Sequence, residues 1–287
     1  MIIKAFNKLD EKTTKEIKEV ESICKDYDKL NGNLFLDASA NFDTEVKSVF
    51  LLFEEEKLVS LVTMFIPTRE EAEISAYTLP EHRRNGYFKK LLEAAVAEIK
   101  RYGIPSLLLV CESHSIAGKA AVESLNANHD FTEYSLRYKE PSGNWDSNKP
   151  MKLKLIKAEV KDLETIVQLS IDIFDDDYES AKTFVAKCFE ADNRLQYIAW
   201  LDEKPIGMGS IYLGEGTAYI YGLGIIPQYQ GKGCGKEMLG LILKAIKGIG
   251  IEHIIIEVES DNDNAFSLYK KCGFELATSF NYYRKEV

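Results

Sequence analysis

The chain has 287 residues, 45% of them hydrophobic and 29% charged, with only 7 prolines; this is ordinary globular composition at about twice the usual domain length of roughly 100 to 150 residues. A formal net charge of -10 repels a phosphate backbone, so nucleic acid is excluded as an expected partner while a cationic substrate is compatible. No window approaches the roughly 20 apolar residues of a membrane span, the N-terminus lacks the apolar core of a signal peptide, and five scattered cysteines without a C-x-x-C pair argue against a disulfide scaffold or a zinc site, so the expectation is a cytoplasmic protein with no membrane partner and no metal.

In chain order, residues 13–27 read as an amphipathic helix and residues 72–80 as a strand rich in branched and aromatic side chains. The turn Arg83-Arg84-Asn85-Gly86-Tyr87-Phe88 follows, then a helix over 89–100, a buried strand over 106–111, a helix over 121–126 and a strand over 134–138. Residues 139–150 are poor in periodic apolar positions and rich in turn formers, which makes them a linker and puts a boundary near residue 147. The second half repeats the plan: a helix over 163–174 with Leu163, Ile166, Val167 and Ile171 on one face, a strand over 218–226, a glycine-rich turn, a helix over 236–247, a buried strand over 253–258, a helix over 265–271 and a strand over 281–284.

The register of the repeat shows at Pro80 and Pro227 (227 − 80) and at Gly86 and Gly233 (233 − 86), each 147 apart. Phe131 and Phe274 stand 143 apart (274 − 131), which implies a four-residue length change and sets Asn126 opposite Tyr269 and Asp130 opposite Gly273. The expected fold class is α/β: two tandem domains, 1–146 and 147–287, each a central mixed sheet flanked by helices. The four histidines, His82, His114, His129 and His253, are scattered and read as structural or surface groups.

The chemistry concentrates at Gln230-Gly231-Lys232-Gly233-Cys234-Gly235. A loop of small residues between a strand and a helix leaves backbone N–H groups unpaired beside the positive end of the helix dipole, which suits an anion. Gly231, Gly233 and Gly235 let a pyrophosphate approach the backbone, and Lys232 and Lys236 add positive charge. Alone, such a turn serves helix packing as readily as phosphate binding. It is not a Walker motif, because Cys234-Gly235-Lys236 stands where Gly-Lys-Ser/Thr belongs, and its glycine spacing is not that of a dinucleotide fingerprint.

A second segment, Asn262-Asp263-Asn264-Ala265-Phe266-Ser267-Leu268-Tyr269-Lys270-Lys271-Cys272-Gly273-Phe274, follows at the right distance. Together the two resemble the Q/R-x-x-G-x-G/A turn and the N-x-x-A-x-x-L-Y-x-x-x-G-F segment of the GNAT N-acetyltransferase superfamily. The resemblance implies acetyl-CoA as cosubstrate, its arm laid along Leu223, Gly224 and Ile225, its pyrophosphate held at Gln230, Gly231, Lys232, Gly233, Cys234, Gly235 and Lys236, and Asn262 bonding the pantetheine. It also implies that the Leu223 N–H polarises the thioester carbonyl and that the Tyr269 hydroxyl, which also borders the cosubstrate, protonates the departing thiolate. The acceptor amine then attacks directly.

Family members that use a strand glutamate as base carry it eleven residues before the turn, a place held here by Tyr219; Glu257, Glu259 or a water chain remain candidates. Asp172, Asp175, Asp176, Asp177 and Glu179 lie where the family binds its acceptor, although a solvated helix end is the plainer reading. Cys234 has no histidine near it in sequence, and the family needs no covalent intermediate. The first half resembles the family more loosely, with Phe88 where glycine or alanine is usual, and tandem members commonly keep one competent site while the other domain shapes the acceptor cleft. The expected function is acetyl transfer to a primary amine of a small molecule or peptide, by a monomer or homodimer. Two competing readings are a CoA-binding sensor or scaffold without turnover, and transfer of a longer acyl or aminoacyl group, which calls for a longer chain and a basic surface.

Overall fold

The computed structural model describes residues 1–140 and 152–287. Its backbone contacts divide the chain into two compact units, Met1–Thr132 with Thr278–Val287, and Glu133–Ala277. The boundary expected near residue 147 lies outside the described residues.

The first unit runs β1 (Ile2–Phe6), α1 (Glu11–Asp28), β2 (Val49–Glu54), β3 (Lys57–Phe65), β4 (Glu71–Thr78), α2 (Tyr87–Arg101), β5 (Ser106–Glu112) and α3 (Ile116–Ser124), and then enters β6 (Asn128–Tyr138). The second runs β7 (Leu153–Lys157), α4 (Leu163–Phe174), α5 (Tyr178–Glu190), β8 (Arg194–Leu201), β9 (Lys204–Gly214), β10 (Thr217–Ile225), α6 (Cys234–Gly248), β11 (His253–Glu259) and α7 (Asp263–Lys271), and ends in β12 (Phe274–Glu286). The mixed α/β class is as expected; α5 and the β8–β9 hairpin had no counterpart in the sequence reading.

The strands of each unit follow one plan. In the first unit β1 to β4 pair antiparallel in series and β4 pairs parallel with β5. In the second, β7 to β10 are antiparallel and β10 pairs parallel with β11. The next strand in each comes from the other half of the sequence. β5 pairs with β12, from Phe280↔Glu112 to Glu286↔Ser106, and β11 pairs with β6, from Ile255↔Arg137 to Glu259↔Glu133. Cutting the sequence at residue 147 would therefore leave each unit short of a strand, because the closing strands are exchanged.

The cores follow from side-chain period. On α6, Met238, Leu239, Ile242, Leu243 and Ile246 recur at helical spacing and are all buried, facing Ala218, Ile220, Ile254 and Ile256 of the sheet. On α1, Ile17, Val20 and Cys24 do the same below β3 and β4. Each fully buried Leu or Ile contributes about 1.5–3 kcal/mol through burial. β11 alternates, with Ile254, Ile256 and Val258 buried but Glu257 and Glu259 outward, so the expectation of a strand hidden on both faces holds for only one of them.

The repeat register differs from the one expected. α3 begins after the cap Ser115, whose side chain accepts from Gly118 N, and α7 begins after the cap Asn262, whose side chain accepts from Ala265 N. The caps stand 147 apart (262 − 115), as do the left-handed residues that end the helices, Asn126 at φ 53° and Gly273 at φ 94°. No four-residue change intervenes, and the position opposite Tyr269 is Val122 rather than Asn126. The phenylalanine match was fortuitous: Phe131 lies within β6 and stacks on Tyr282 at 4.3 Å, whereas Phe274 opens β12 and is buried.

Candidate active site

In the second unit β10 and β11 pair only from Thr217↔His253 to Ile220↔Ile256 and then part. Beyond that point β10 carries a bulge: Tyr221 pairs with Ser210, yet the next partners are Gly224 and Met208. Gly222 and Leu223 therefore face one residue, and Gly222 adopts φ 54°, which glycine tolerates without a Cβ penalty. Leu223 has no register partner on either neighbouring strand and stands at the mouth of the opening.

The turn after β10 aims further donors at the same place. Gly231 and Gly233 take left-handed φ of 71° and 86°, and Gly233 caps α6 with no side-chain hydrogen bond. Other helices are capped by side chains: Asp10 on α1, Ser115 on α3, Asp177 on α5 and Asn262 on α7. At α6 the N–H groups of Cys234 and Gly235 have neither an intrahelical partner nor a side-chain cap, and the helix dipole adds partial positive charge. Gln230 Nε2 donates to Ile225 O at 2.8 Å, tying the turn to the end of β10, and Lys232 Nζ folds back to Gln228 O at 2.8 Å over the Tyr229 ring. Two glycines serve packing: a Cβ on Gly224 would collide with Ile173 Cγ2 of α4, and one on Gly235 would lie 3.4 Å from Leu268 of α7.

On α7, Asn262 spends its side-chain oxygen on the cap, accepting from Ala265 N at 3.0 Å, which leaves its amide N–H groups for a ligand. Tyr269 is 5% exposed with its ring 6.1 Å from that of Phe274, and its hydroxyl has no protein partner among the described residues. Burial, with a smaller effect from Cys272, pushes its hydroxyl up to about 12, so at neutral pH it keeps a proton to give.

Glu257 stands one step beyond the last β10–β11 pair, across the opening from Tyr221. Solvent reaches it, yet protein crowds it enough that desolvation pushes its carboxyl up to about 7; the Glu133 carboxylate adds to the rise and the Ser135 hydroxyl opposes it. Tyr219, at the position of the alternative family base, instead packs its ring against Tyr212 at 5.7 Å.

The acidic residues near the end of α4 have local duties: Asp172 accepts from Gln168, Asp176 from Ser170, and Asp177 caps α5 through Ser180 N. Cys234 is the first residue of α6 and is half-buried, while His253 opens β11 on the surface. Among the described residues no group of three or more His, Cys, Asp or Glu is placed to hold a metal, and no helix is long and apolar enough to cross a membrane.

The first unit carries the same scaffold without the same chemistry. β4 and β5 part after Ile74↔Leu109, and α2 also starts at a left-handed glycine, Gly86, with no side-chain cap. Between the parted strands lies a cleft of about 580 Å³ bordered by Tyr77, Arg84, Phe88, Val110, Glu112 and Gly118. β4, however, pairs with β3 in unbroken register, so no residue stands outside the register as Leu223 does. Val122 stands where Tyr269 would be, and Arg83 is held by both oxygens of Asp28 at 3.0 and 2.6 Å. The bulge is a one-residue insertion: Glu71 and Thr217, upstream of it, differ by 146 (217 − 71), whereas Pro80 and Pro227 differ by 147 (227 − 80).

Comparison with known proteins agrees with this geometry. The profile of the family described as Acetyltransferase (GNAT) family matches residues 13–123 and again 163–274. A mycothiol acetyltransferase of Corynebacterium glutamicum is 25% identical over 251 residues, 80% of this chain and 79% of that one. Stronger local matches include the mycothiol acetyltransferase of Corynebacterium efficiens, 38% identical over 66 residues, 23% of this chain and 22% of the relative's length. The [ribosomal protein bS18]-alanine N-acetyltransferase of Haemophilus influenzae is 39% identical over 69 residues, 24% of this chain and 47% of that one. Among solved structures, a GCN5-related N-acetyltransferase from Sphaerobacter thermophilus aligns with a TM-score of 0.78 at 12% identity, over 99% of this chain and 95% of that one. A tandem GNAT protein from the clavulanic acid biosynthesis pathway aligns at 0.73 and 12%, over 99% and 98%. With two family matches on two units of one plan, the chain belongs to the GNAT acetyltransferase family.

Proposed function

We propose that the chain is an acetyl-CoA-dependent N-acetyltransferase that works from its second unit on a primary amine of a small molecule or peptide. The observation that carries this reading is the bulge at Gly222 and Leu223, set where β10 leaves β11 and beside an α6 N-terminus that no side chain caps. The uncapped donors and the Gly231–Gly233 turn fit a pyrophosphate, and the open edge of β10 fits an extended pantetheine arm. Acetyl-CoA brings the acyl group as an activated thioester.

The chain's residues then have separate tasks. Glu257 takes a proton from the ammonium form of the acceptor, for which a carboxyl near 7 is suited at neutral pH. Leu223 N–H stabilises negative charge on the thioester oxygen as the amine adds to the carbonyl carbon. When the C–S bond breaks, Tyr269 gives its proton to the sulfur. Cys234 is not needed as a nucleophile. Relatives named for mycothiol and for an alanine of a ribosomal protein support an amine acceptor of either size. The first unit, with a regular β4 and Val122, is assigned no transfer step.

Calorimetric titration of acetyl-CoA, with thiol release measured against a panel of amines, tests the reading. Binding that Gly233→Glu abolishes, with amine-dependent thiol release that Gly86→Glu leaves intact, is the expected result. Binding and turnover that survive Gly233→Glu would sink it and favour a site in the first unit; binding without turnover would favour the sensor reading.

A further inference from the structure

Beneath the bulge, on the face of β10 covered by α4 and α5, lies a buried polar chain that the proposed transfer does not use. Arg194 and Gln196 of β8, 8% and 4% exposed, and Ser210 of β9, 2% exposed, converge on Tyr221, the last residue of β10 in regular register. Arg194 Nη1 donates to Tyr221 Oη at 3.3 Å and Gln196 Nε2 donates at 3.4 Å. Ser210 Oγ donates to Gln196 Oε1 at 2.5 Å, and Cys188 Sγ of α5 lies 3.5 Å from the same phenol. The Arg194 guanidinium also lies over the rings of Tyr212 and Tyr221, 4.9 and 5.6 Å from their centres. Burial holds the Tyr221 phenol protonated, so its oxygen is free to accept.

The chain's own repeat supplies the control. In the second unit Gln196 pairs with Ser210, and Ser210 with Tyr221. The same rungs in the first unit are Val49, Thr63 and Ser75. There the tyrosine and the glutamine are both missing, and β4 passes the point without a bulge. Ser210 also borders the inserted residue, since a Cβ on Gly222 would lie 3.9 Å from its hydroxyl. A strand one residue too long can place its excess at several positions, and a slip turns every later side chain to the other face. A buried, hydrogen-bonded polar chain on the last paired residue specifies one position, because any slip would strip its members of the partners they have.

We propose that Tyr221, gripped by Arg194 and Gln196, is a positioning residue that pins the bulge at Gly222 and Leu223 and thereby sets the Leu223 N–H against the thioester carbonyl. The proposal rests on the acetyl-transfer reading of this site and names what holds its oxyanion donor in place. It acts on the carbonyl alone, so loss of the grip lowers turnover while the pyrophosphate turn still holds the cosubstrate.

The test compares wild type with Tyr221→Phe, and with the Tyr221→Phe/Gln196→Leu/Ser210→Ala triple variant, which leaves fewer buried polar groups without partners if the single variant folds poorly. Acetyl-CoA carrying ¹³C at its thioester carbonyl is bound at saturation and the carbonyl stretch is read by isotope-edited infrared spectroscopy. Wild type is expected to shift the stretch below that of free acetyl-CoA, and both variants to return it toward the free value with acetyl-CoA affinity within about threefold of wild type; where an amine turns over, kcat falls tenfold or more and KM for acetyl-CoA stays. Variants that keep the wild-type shift, or that lose affinity and shift together, overturn the positioning role alone. A wild type that does not bind acetyl-CoA overturns the transfer reading, and the proposal with it.

Discussion

Val122 occupies on α3 the place that Tyr269 occupies on α7, since both helices start 147 residues apart (263 − 116) and end 147 apart (271 − 124). The pair states the division of labour between the repeats. Both side chains are buried, at 5% exposure each, so either fills its core, but only one carries a proton.

Tyr269→Phe keeps the ring and removes the proton. Steady-state thiol release should fall about a hundredfold in kcat with little change in KM for acetyl-CoA, the range of a lost general acid. Val122→Tyr should not make the first unit active, because β4 still lacks the bulge; turnover appearing in a Gly233→Glu/Val122→Tyr protein would show that the hydroxyl alone separates the two units.

The acid side of the pH profile reports Glu257. A base works only when deprotonated, and this carboxyl is pushed up to about 7, so kcat/KM should climb about tenfold per pH unit below that value and level off above it. Glu257→Gln should remove this limb and lower the plateau by about a hundredfold. An unaltered limb in the variant would assign the titration to another group.

Gly231 has open space where a Cβ would go, so only its φ of 71° resists substitution. Gly231→Ala should cost about 1 kcal/mol in urea unfolding, the usual penalty for a side chain in the left-handed region. A neutral result would mean that the turn relaxes to another conformation, and acetyl-CoA affinity should then drop with it.

Ending the chain after Ala277 removes the strand that pairs with β5 and takes away Arg284, whose guanidinium bonds Glu71 at 2.6 Å and Asp130 at 2.8 Å. The truncated protein should lose hydrogen-exchange protection in β4 and β5 while residues 217–271 stay protected. Equal loss in both regions would mean that the units do not hold their structure separately.

Much of this was legible in residues. The 231–235 glycines and the Asn262–Phe274 segment identify the turn and α7 because their chemistry is local: a left-handed φ, a cap, an uncapped helix. The bulge was not legible, since one extra residue in a strand leaves no composition signal; only the change of repeat offset from 146 to 147 betrays it, and that requires knowing which residues pair. Matching caps rather than phenylalanines would have placed Val122 correctly, because Ser115 and Asn262 open their helices by the same hydrogen bond. Glu257 gains its character from desolvation and from Glu133, 124 residues earlier (257 − 133), so the sequence could name it beside Glu259 but not choose between them.

The exchange of closing strands sets a timetable for synthesis. β5 ends at Glu112 but its neighbour begins pairing at Phe280, 168 residues later (280 − 112). Until that stretch has left the ribosome, the first unit carries an apolar strand with an open edge, the kind of template that invites pairing with other chains. Meanwhile the second unit receives β6 early and can close its sheet as soon as β11 emerges. The part of the chain made first is thus finished last, and any stall before release would expose the edge in a way that the released chain would not.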